Sequence, residues 1–277
     1  MKVIKNSGEV VAFNPDKLRH SLLKSGASEP DATDIIGVIR SRLYDGIPTK
    51  HIYKMAGKML RKLSASHAAR YNLKAGIRQL GPAGFFFEQF VALVFEAEGY
   101  QTRKNLTLSG RCVNHEVDVV IRNEDLTMVE CKFHGNQNTV SDVKVPMYIL
   151  SRFNDLKNNT HDIFTSTDIL SKCLIVTNNR FTADAIKFAS CSGLQLLGWD
   201  YPTTEGLKNK VDGKRLYPVT CLTTLTMLEK EKLLILGVIL VTQLIAQPET
   251  LAQVAIGEAR HKKILHEAAG LCNLFST

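Results

Sequence analysis

Two short runs, Val117-Asp118-Val119-Val120 and Val129-Glu130-Cys131-Lys132-Phe133, set charged side chains among apolar ones. In a strand successive side chains point to opposite faces, so Glu130 and Lys132 share one face and Val129, Cys131 and Phe133 the other, about 7 Å separating like-facing neighbours. Two strands joined by a turn at Asn123-Glu124-Asp125 would bring Asp118 close to Glu130, and paired carboxylates are ready oxygen ligands for Mg²⁺. A lysine beside them can hold or help deprotonate a water, and the ion can polarise a phosphoryl oxygen, which together equip a site for phosphodiester hydrolysis. Glu88 follows three phenylalanines and precedes Phe90, close to the apolar side of a helix expected over 85–98; an acid placed there needs a partner or a metal. The bland alternative for Glu130 and Lys132 is the solvated face of an edge strand. Asp118 and Glu88 together weigh against it.

The elements that must position these residues can be read from periodicity. Residues 114–122 and 126–133 alternate as strands, followed by a helix over 140–156, a buried strand over 173–177, a helix over 182–192 and a strand over 194–199. Helices interleaved with a few strands imply a central α/β domain with a mixed sheet, assigned to residues 84–206. Ahead of it, Asn6-Ser7-Gly8 marks a hairpin turn between Val3-Ile4 and Val10-Val11. Asn14-Pro15-Asp16 opens a helix, a second is expected over 31–43, and a third over 49–63 with Thr49 as its N-cap. This gives a small α+β unit at 1–63, joined by a helical connector at 64–83 that ends in the turn Gly81-Pro82. Residues 207–215 read as a polar linker, and 216–277 as an all-helical module. The fold class is therefore multi-domain.

The chain has 277 residues with a net charge of +8. That charge is uneven: residues 1–80 carry +9 and the remainder −1, and a basic front suits a polyanionic partner. The most apolar run, 233–245, is too short for a membrane-crossing helix, which needs about 20 residues. No apolar segment follows the basic start, so a cytoplasmic protein without a membrane partner is expected. Six cysteines, none in a C-x-x-C pair, read as reduced core residues rather than zinc ligands.

The pattern of Glu88, Asp118, Glu130 and Lys132 resembles that of the PD-(D/E)XK nucleases, in particular the Mrr-like restriction endonuclease branch. The similarity continues through Tyr148, Arg152-Phe153, Asp155, Val176-Thr177-Asn178-Asn179 and Leu197-Gly198-Trp199-Asp200 and covers residues 82–200. Val117 stands where proline is frequent. The resemblance implies that Asp118 and Glu130 bind Mg²⁺, Lys132 positions the water and Glu88 supports the metal from its helix. The front unit resembles the ATP-cone through Val3-Ile4-Lys5-Asn6-Ser7-Gly8, Phe13-Asn14-Pro15-Asp16-Lys17-Leu18 and Tyr44-Asp45-Gly46-Ile47-Pro48-Thr49. That likeness implies regulatory ATP or dATP held by Lys5, Lys17, Thr49 and Tyr53 with Val3 and Asn14 nearby. Ala255-Ile256-Gly257 in the last module looks like a degenerate helix-hairpin-helix. The expected whole is a DNA endonuclease acting as a homodimer or higher homo-oligomer. The alternatives are a nucleotide-responsive DNA-binding regulator that does not cut, and a repair nuclease for branched DNA.

Overall fold

The computed structural model describes residues 1–5, 7–81 and 84–273 and forms two compact units, one from residues 1–77 with 217–277 and one from 78–216. In the first, β1 (Lys2–Ile4) pairs antiparallel with β2 (Val10–Ala12) as the hairpin reading requires, although Asn6 of the expected turn lies outside the described residues. Helix α1 (Pro15–Lys24) starts at Asn14, whose side chain accepts from the Asp16 and Lys17 amides. A full capping box at Ser28 and Asp31 starts α2 (Glu29–Arg40). Strand β3 (Ile47–Pro48) pairs parallel with β1, an addition that two residues cannot announce by periodicity. Helix α3 (Thr49–Leu63) is capped by Pro48 without a side-chain bond, so Thr49 is its first residue and not the expected N-cap. The connector holds two helices, α4 (Ala65–Tyr71) and α5 (Leu73–Arg78); Pro82 of its closing turn lies outside the described residues.

The second unit begins with α6 (Phe85–Glu96), β4 (Gln101–Ser109), β5 (Asn114–Arg122) and β6 (Leu126–Lys132). It continues through β7 (Val140–Ser141), α7 (Lys144–Leu156), β8 (Lys172–Thr177), β9 (Arg180–Phe181), α8 (Ala183–Cys191) and β10 (Gln195–Leu197). The five-stranded sheet runs β10-β8-β6-β5-β4, with β4–β5 and β5–β6 antiparallel and β6–β8 and β8–β10 parallel, so it is mixed as expected. Val120, Met128, Cys173 and Ile175 form one core with Ile149, Phe153 and Leu156 of α7 and Ala185 and Ala189 of α8. Val119 and Val129 pair with each other, are fully buried and alternate to the opposite face, the side on which α6 meets β4, β5 and β6. Residues 207–214 form a helix, α9 (Leu207–Lys214), in place of the expected linker: Leu207 and Val211 are buried and Lys210 reaches Glu98 at 2.8 Å.

The last helices, α10 (Met227–Ile235), α11 (Val241–Ala246), α12 (Thr250–Gln253) and α13 (Glu258–Leu271), form the expected helical module, which packs within the first unit. Helix α13 packs on α4, the Thr220 hydroxyl donates to the Gly76 carbonyl at 2.7 Å, and Arg70 donates to the Leu271 carbonyl at 3.2 Å. All six cysteines are free, but Cys112 and Cys191 are exposed and so correct the reading of a wholly buried set. Among the described residues no helix is long and apolar enough to cross a membrane.

Candidate nuclease site and nucleotide cavity

Register positions the acidic cluster. The β5–β6 ladder runs from Arg122↔Leu126 to Val119↔Val129 and stops there. Beyond it, the Cys131 amide donates 2.7 Å to Oδ2 of Asp118, so a side-chain carboxylate does the work of the next backbone carbonyl. Alternation breaks at this point: Val117 and Val120, three residues apart, lie in the same core, and Asn105 on the neighbouring strand has φ 54°. Asp118 is thus turned toward β6, where Glu130 follows. Oδ1 of Asp118 carries no hydrogen bond among the described residues.

The charge of Asp118 acts on two other carboxylates, Glu130 and Glu88. Glu130 is pushed up to about 7, first by burial and then by the Asp118 charge, with Arg152 and Lys132 pulling the other way. Burial, then Asp118 and Glu116, also lifts Glu88 to about 7. Asp118 itself is raised by burial against the opposing Cys131 amide, Arg152 and Lys132. All four expected residues therefore lie within one electrostatic neighbourhood, with Lys132 exposed at its edge. Among the described residues no three His, Cys, Asp or Glu side chains already stand in a metal-holding arrangement. The donor set nonetheless fits a hard divalent cation: oxygen donors only, partly desolvated, with excess negative charge that a cation would relieve. Asp118 and Glu130 are the residues that could hold Mg²⁺, with Glu88 beside them.

The family pattern includes Arg152 without a role, and the structure gives it one. Its guanidinium donates 2.6 Å to Glu130 Oε2 and also to the Glu116 carbonyl, clamping the carboxylate from α7, and it lies 5.7 Å from the Tyr148 ring centre. The asparagines after β8 pin the loop behind Lys132. Asn178 exchanges two hydrogen bonds with the His134 backbone, Asn179 donates to the carbonyls of Asn136 and Thr139, and Thr177 Oγ1 donates to the Lys132 carbonyl at 2.7 Å. Asp155 is structural: it accepts from the Cys112 and Val113 amides and from His115, holding the β4–β5 connection.

In the first unit a cavity of about 670 Å³ is lined by Val3, Lys5, Asn14, Lys17, Thr49 and Tyr53, all six of the residues expected to hold nucleotide. That volume is within the usual range for small-molecule sites, roughly 300–1,000 Å³. Tyr71 of α4 closes one side, stacked on Tyr53 with ring centres 4.4 Å apart. Three of the six are already engaged: Lys5 pairs with Glu9 at 2.8 Å, Asn14 caps α1, and the Tyr53 hydroxyl donates to the Tyr71 carbonyl. The Lys5 pair is exposed on both sides and so is weak enough to yield to a phosphate.

A mixed sheet whose adjoining strands carry Asp and Glu-x-Lys, with a glutamate from the preceding helix, defines a restriction-endonuclease-type domain. Comparison with known proteins agrees. Residues 82–200 match the restriction endonuclease family of the Mrr catalytic type, residues 1–74 the ATP cone domain, and residues 217–272 the AF1548-like C-terminal family. An uncharacterized protein of Archaeoglobus fulgidus is 32% identical over 183 residues, covering 64% of this chain and 97% of that protein. The crystal structure of AF1548, a protein of unknown function, superposes with a TM-score of 0.57 at 29% identity, covering 68% of this chain and 98% of that one. The MspJI restriction endonuclease in complex with a 27-mer oligonucleotide is a distant likeness, at 13% identity and TM-score 0.33 over 53% of this chain and 32% of its own. The chain belongs to one family with that Archaeoglobus fulgidus protein, and it carries an ATP cone domain, an Mrr-type restriction endonuclease domain and an AF1548-like C-terminal region in that order.

Proposed function

We propose that the protein is a metal-dependent DNA endonuclease of the restriction type, regulated by ATP or dATP in the cone. The observation that carries this reading is the 2.7 Å bond from the Cys131 amide to Asp118, which holds Asp118 against the strand that carries Glu130 and the exposed Lys132, with Glu88 within reach of the Asp118 charge. A bound Mg²⁺ would supply Lewis acidity at a scissile phosphate. Asp118 and Glu130 would hold it, and Glu88 would fix its outer surroundings. The Lys132 ammonium, exposed at the edge of the acids, orients the attacking water and lowers its pKa. Arg152 keeps the Glu130 carboxylate aimed through its two-point clamp. Cleavage of both strands calls for two copies of the chain, since each has one such site. A cytoplasmic location suits work on DNA with ATP or dATP as regulator.

Plasmid cleavage with Mg²⁺, with EDTA as control, tests the reading. Wild type should cut, and Glu130→Ala and Lys132→Ala should not; cutting by both variants at the wild-type rate refutes it. The rival is a nucleotide-responsive DNA-binding regulator, favoured by one observation: Arg152 already neutralises Glu130 as a cation would. Binding without cleavage under every metal condition would select it. Comparing methylated, unmethylated and branched substrates separates restriction from repair.

A further inference from the structure

Helix α3 divides its surface sharply. Ile52, Ala56 and Leu60, at intervals of four, are buried, which accounts for its packing. On the opposite side Lys50, Lys54, Lys58, Arg61 and Lys62 are all exposed, and the helix contains no Asp or Glu. None of the ion pairs among the described residues involves these five cations. Lysines four apart on a helix repel and destabilise it, whereas a glutamate at any of these positions would keep the surface soluble and add a favourable pair. Packing therefore does not explain the arrangement. A partner that supplies regularly spaced negative charge does.

From Lys50 to Arg61 the row spans roughly 16 Å at 1.5 Å per residue. Along the axis of a duplex each strand carries one phosphate about every 3.4 Å, so the row spans an axial length that holds about five phosphates of one strand. We propose that the exposed face of α3 is a nucleic-acid backbone-binding surface, separate from the nuclease site and from the nucleotide cavity. Its contacts position without reading sequence, because ammonium groups and an arginine facing a phosphate row carry no base information. Five of the fifteen Lys and Arg residues of positions 1–80 then lie on one face where they are used.

The test uses the full chain and a fluorescent DNA duplex in EDTA, so that cleavage plays no part and the nuclease reading can fail independently. Affinity is titrated between about 50 and 200 mM salt. The triple variant Lys54→Gln, Lys58→Gln, Arg61→Gln should bind at least tenfold more weakly, and its log–log salt slope should be shallower by about 2.7, or 0.9 per lost phosphate contact. Lys54→Arg with Lys58→Arg should retain wild-type binding, and a far-ultraviolet circular dichroism melt of the triple variant that matches wild type shows that the unit is folded. Unchanged affinity and slope in the folded triple variant overturn the proposal. So does loss of binding to anionic vesicles with DNA binding intact, which would assign the face to a lipid surface.

Discussion

Replacing Glu130 with glutamine should flatten the pH dependence of stability of the 78–216 unit. The glutamate is raised from 4.5 to about 7 in the folded chain, and its side chain is only 14% exposed. A raised folded value means that the proton binds the native state more tightly than the unfolded one. The stabilisation is complete below about pH 4.5 and is lost as pH climbs through about 7. The difference of about 2.5 in pKa, at 1.36 kcal/mol per unit, amounts to roughly 3 kcal/mol. The Glu130→Gln change would also leave Arg152 without its carboxylate, which lowers stability at every pH, so the slope and not the absolute value isolates the effect. Trp199 is the single tryptophan of the chain and is buried in this unit, so its fluorescence follows that unit alone during urea unfolding. Midpoints measured from pH 5 to 8 should fall steeply for wild type and less steeply for Glu130→Gln, which keeps the share of the slope due to Glu88, also raised to about 7. Mg²⁺, which favours the ionised acids, should raise the wild-type midpoint at pH 8 and leave it unchanged at pH 5. A variant that keeps the full wild-type slope would refute the crowded-carboxylate argument.

Three other outcomes are expected. Lys132→Ala should abolish cleavage while the Trp199 unfolding midpoint stays within about 0.5 kcal/mol of wild type, because the side chain is exposed. Lys17→Ala should weaken ATP and dATP binding by tenfold or more in calorimetry, and unaltered binding would remove the 670 Å³ cavity as the nucleotide site. Gly76→Ala should destabilise the first unit by about 1–3 kcal/mol in thermal melts, since the added Cβ would lie 2.5 Å from Cys221 Sγ and 3.0 Å from its backbone.

The candidate catalytic acids are legible because their signal is local. Alternation around Val117–Val120 and Val129–Phe133 exposes charge against an apolar background, and a three-residue turn at Asn123–Asp125 brings the two runs together. Arg152 carries no such signal: it meets Glu130 across 22 positions of chain, from a helix whose local periodicity says only which face is buried. Strand β4 escapes a periodicity reading because it mixes Gln101, Arg103, Lys104 and Asn105 with few apolar residues, as suits a sheet edge held by pairing to β5. Helix α9 looks like a linker for a similar reason, since Leu207 and Val211 are its only buried side chains. The packing of residues 217–273 with the first unit depends on contacts such as Arg70 to Leu271, 201 positions apart, which no local pattern encodes.

That return changes what the nucleotide cavity is connected to. Helix α4 places Tyr71 in the cavity wall, stacked on Tyr53, while the adjacent Arg70 donates to the Leu271 carbonyl and to Asn273 and lies 5.7 Å from the Tyr217 ring centre. Neighbouring residues of one short helix thus serve the cavity and the C-terminal helices at once. A ligand shifts an equilibrium only by its differential affinity for the two states, so a nucleotide that reorients Tyr71 can bias the α4–α13 packing, and one that leaves Tyr71 in place cannot. ATP and dATP differ by one hydroxyl, and their effects can diverge only if that group reaches Tyr71 or the elements that hold it. The packing that such a nucleotide would bias first is therefore that of the helices after residue 217 on α4.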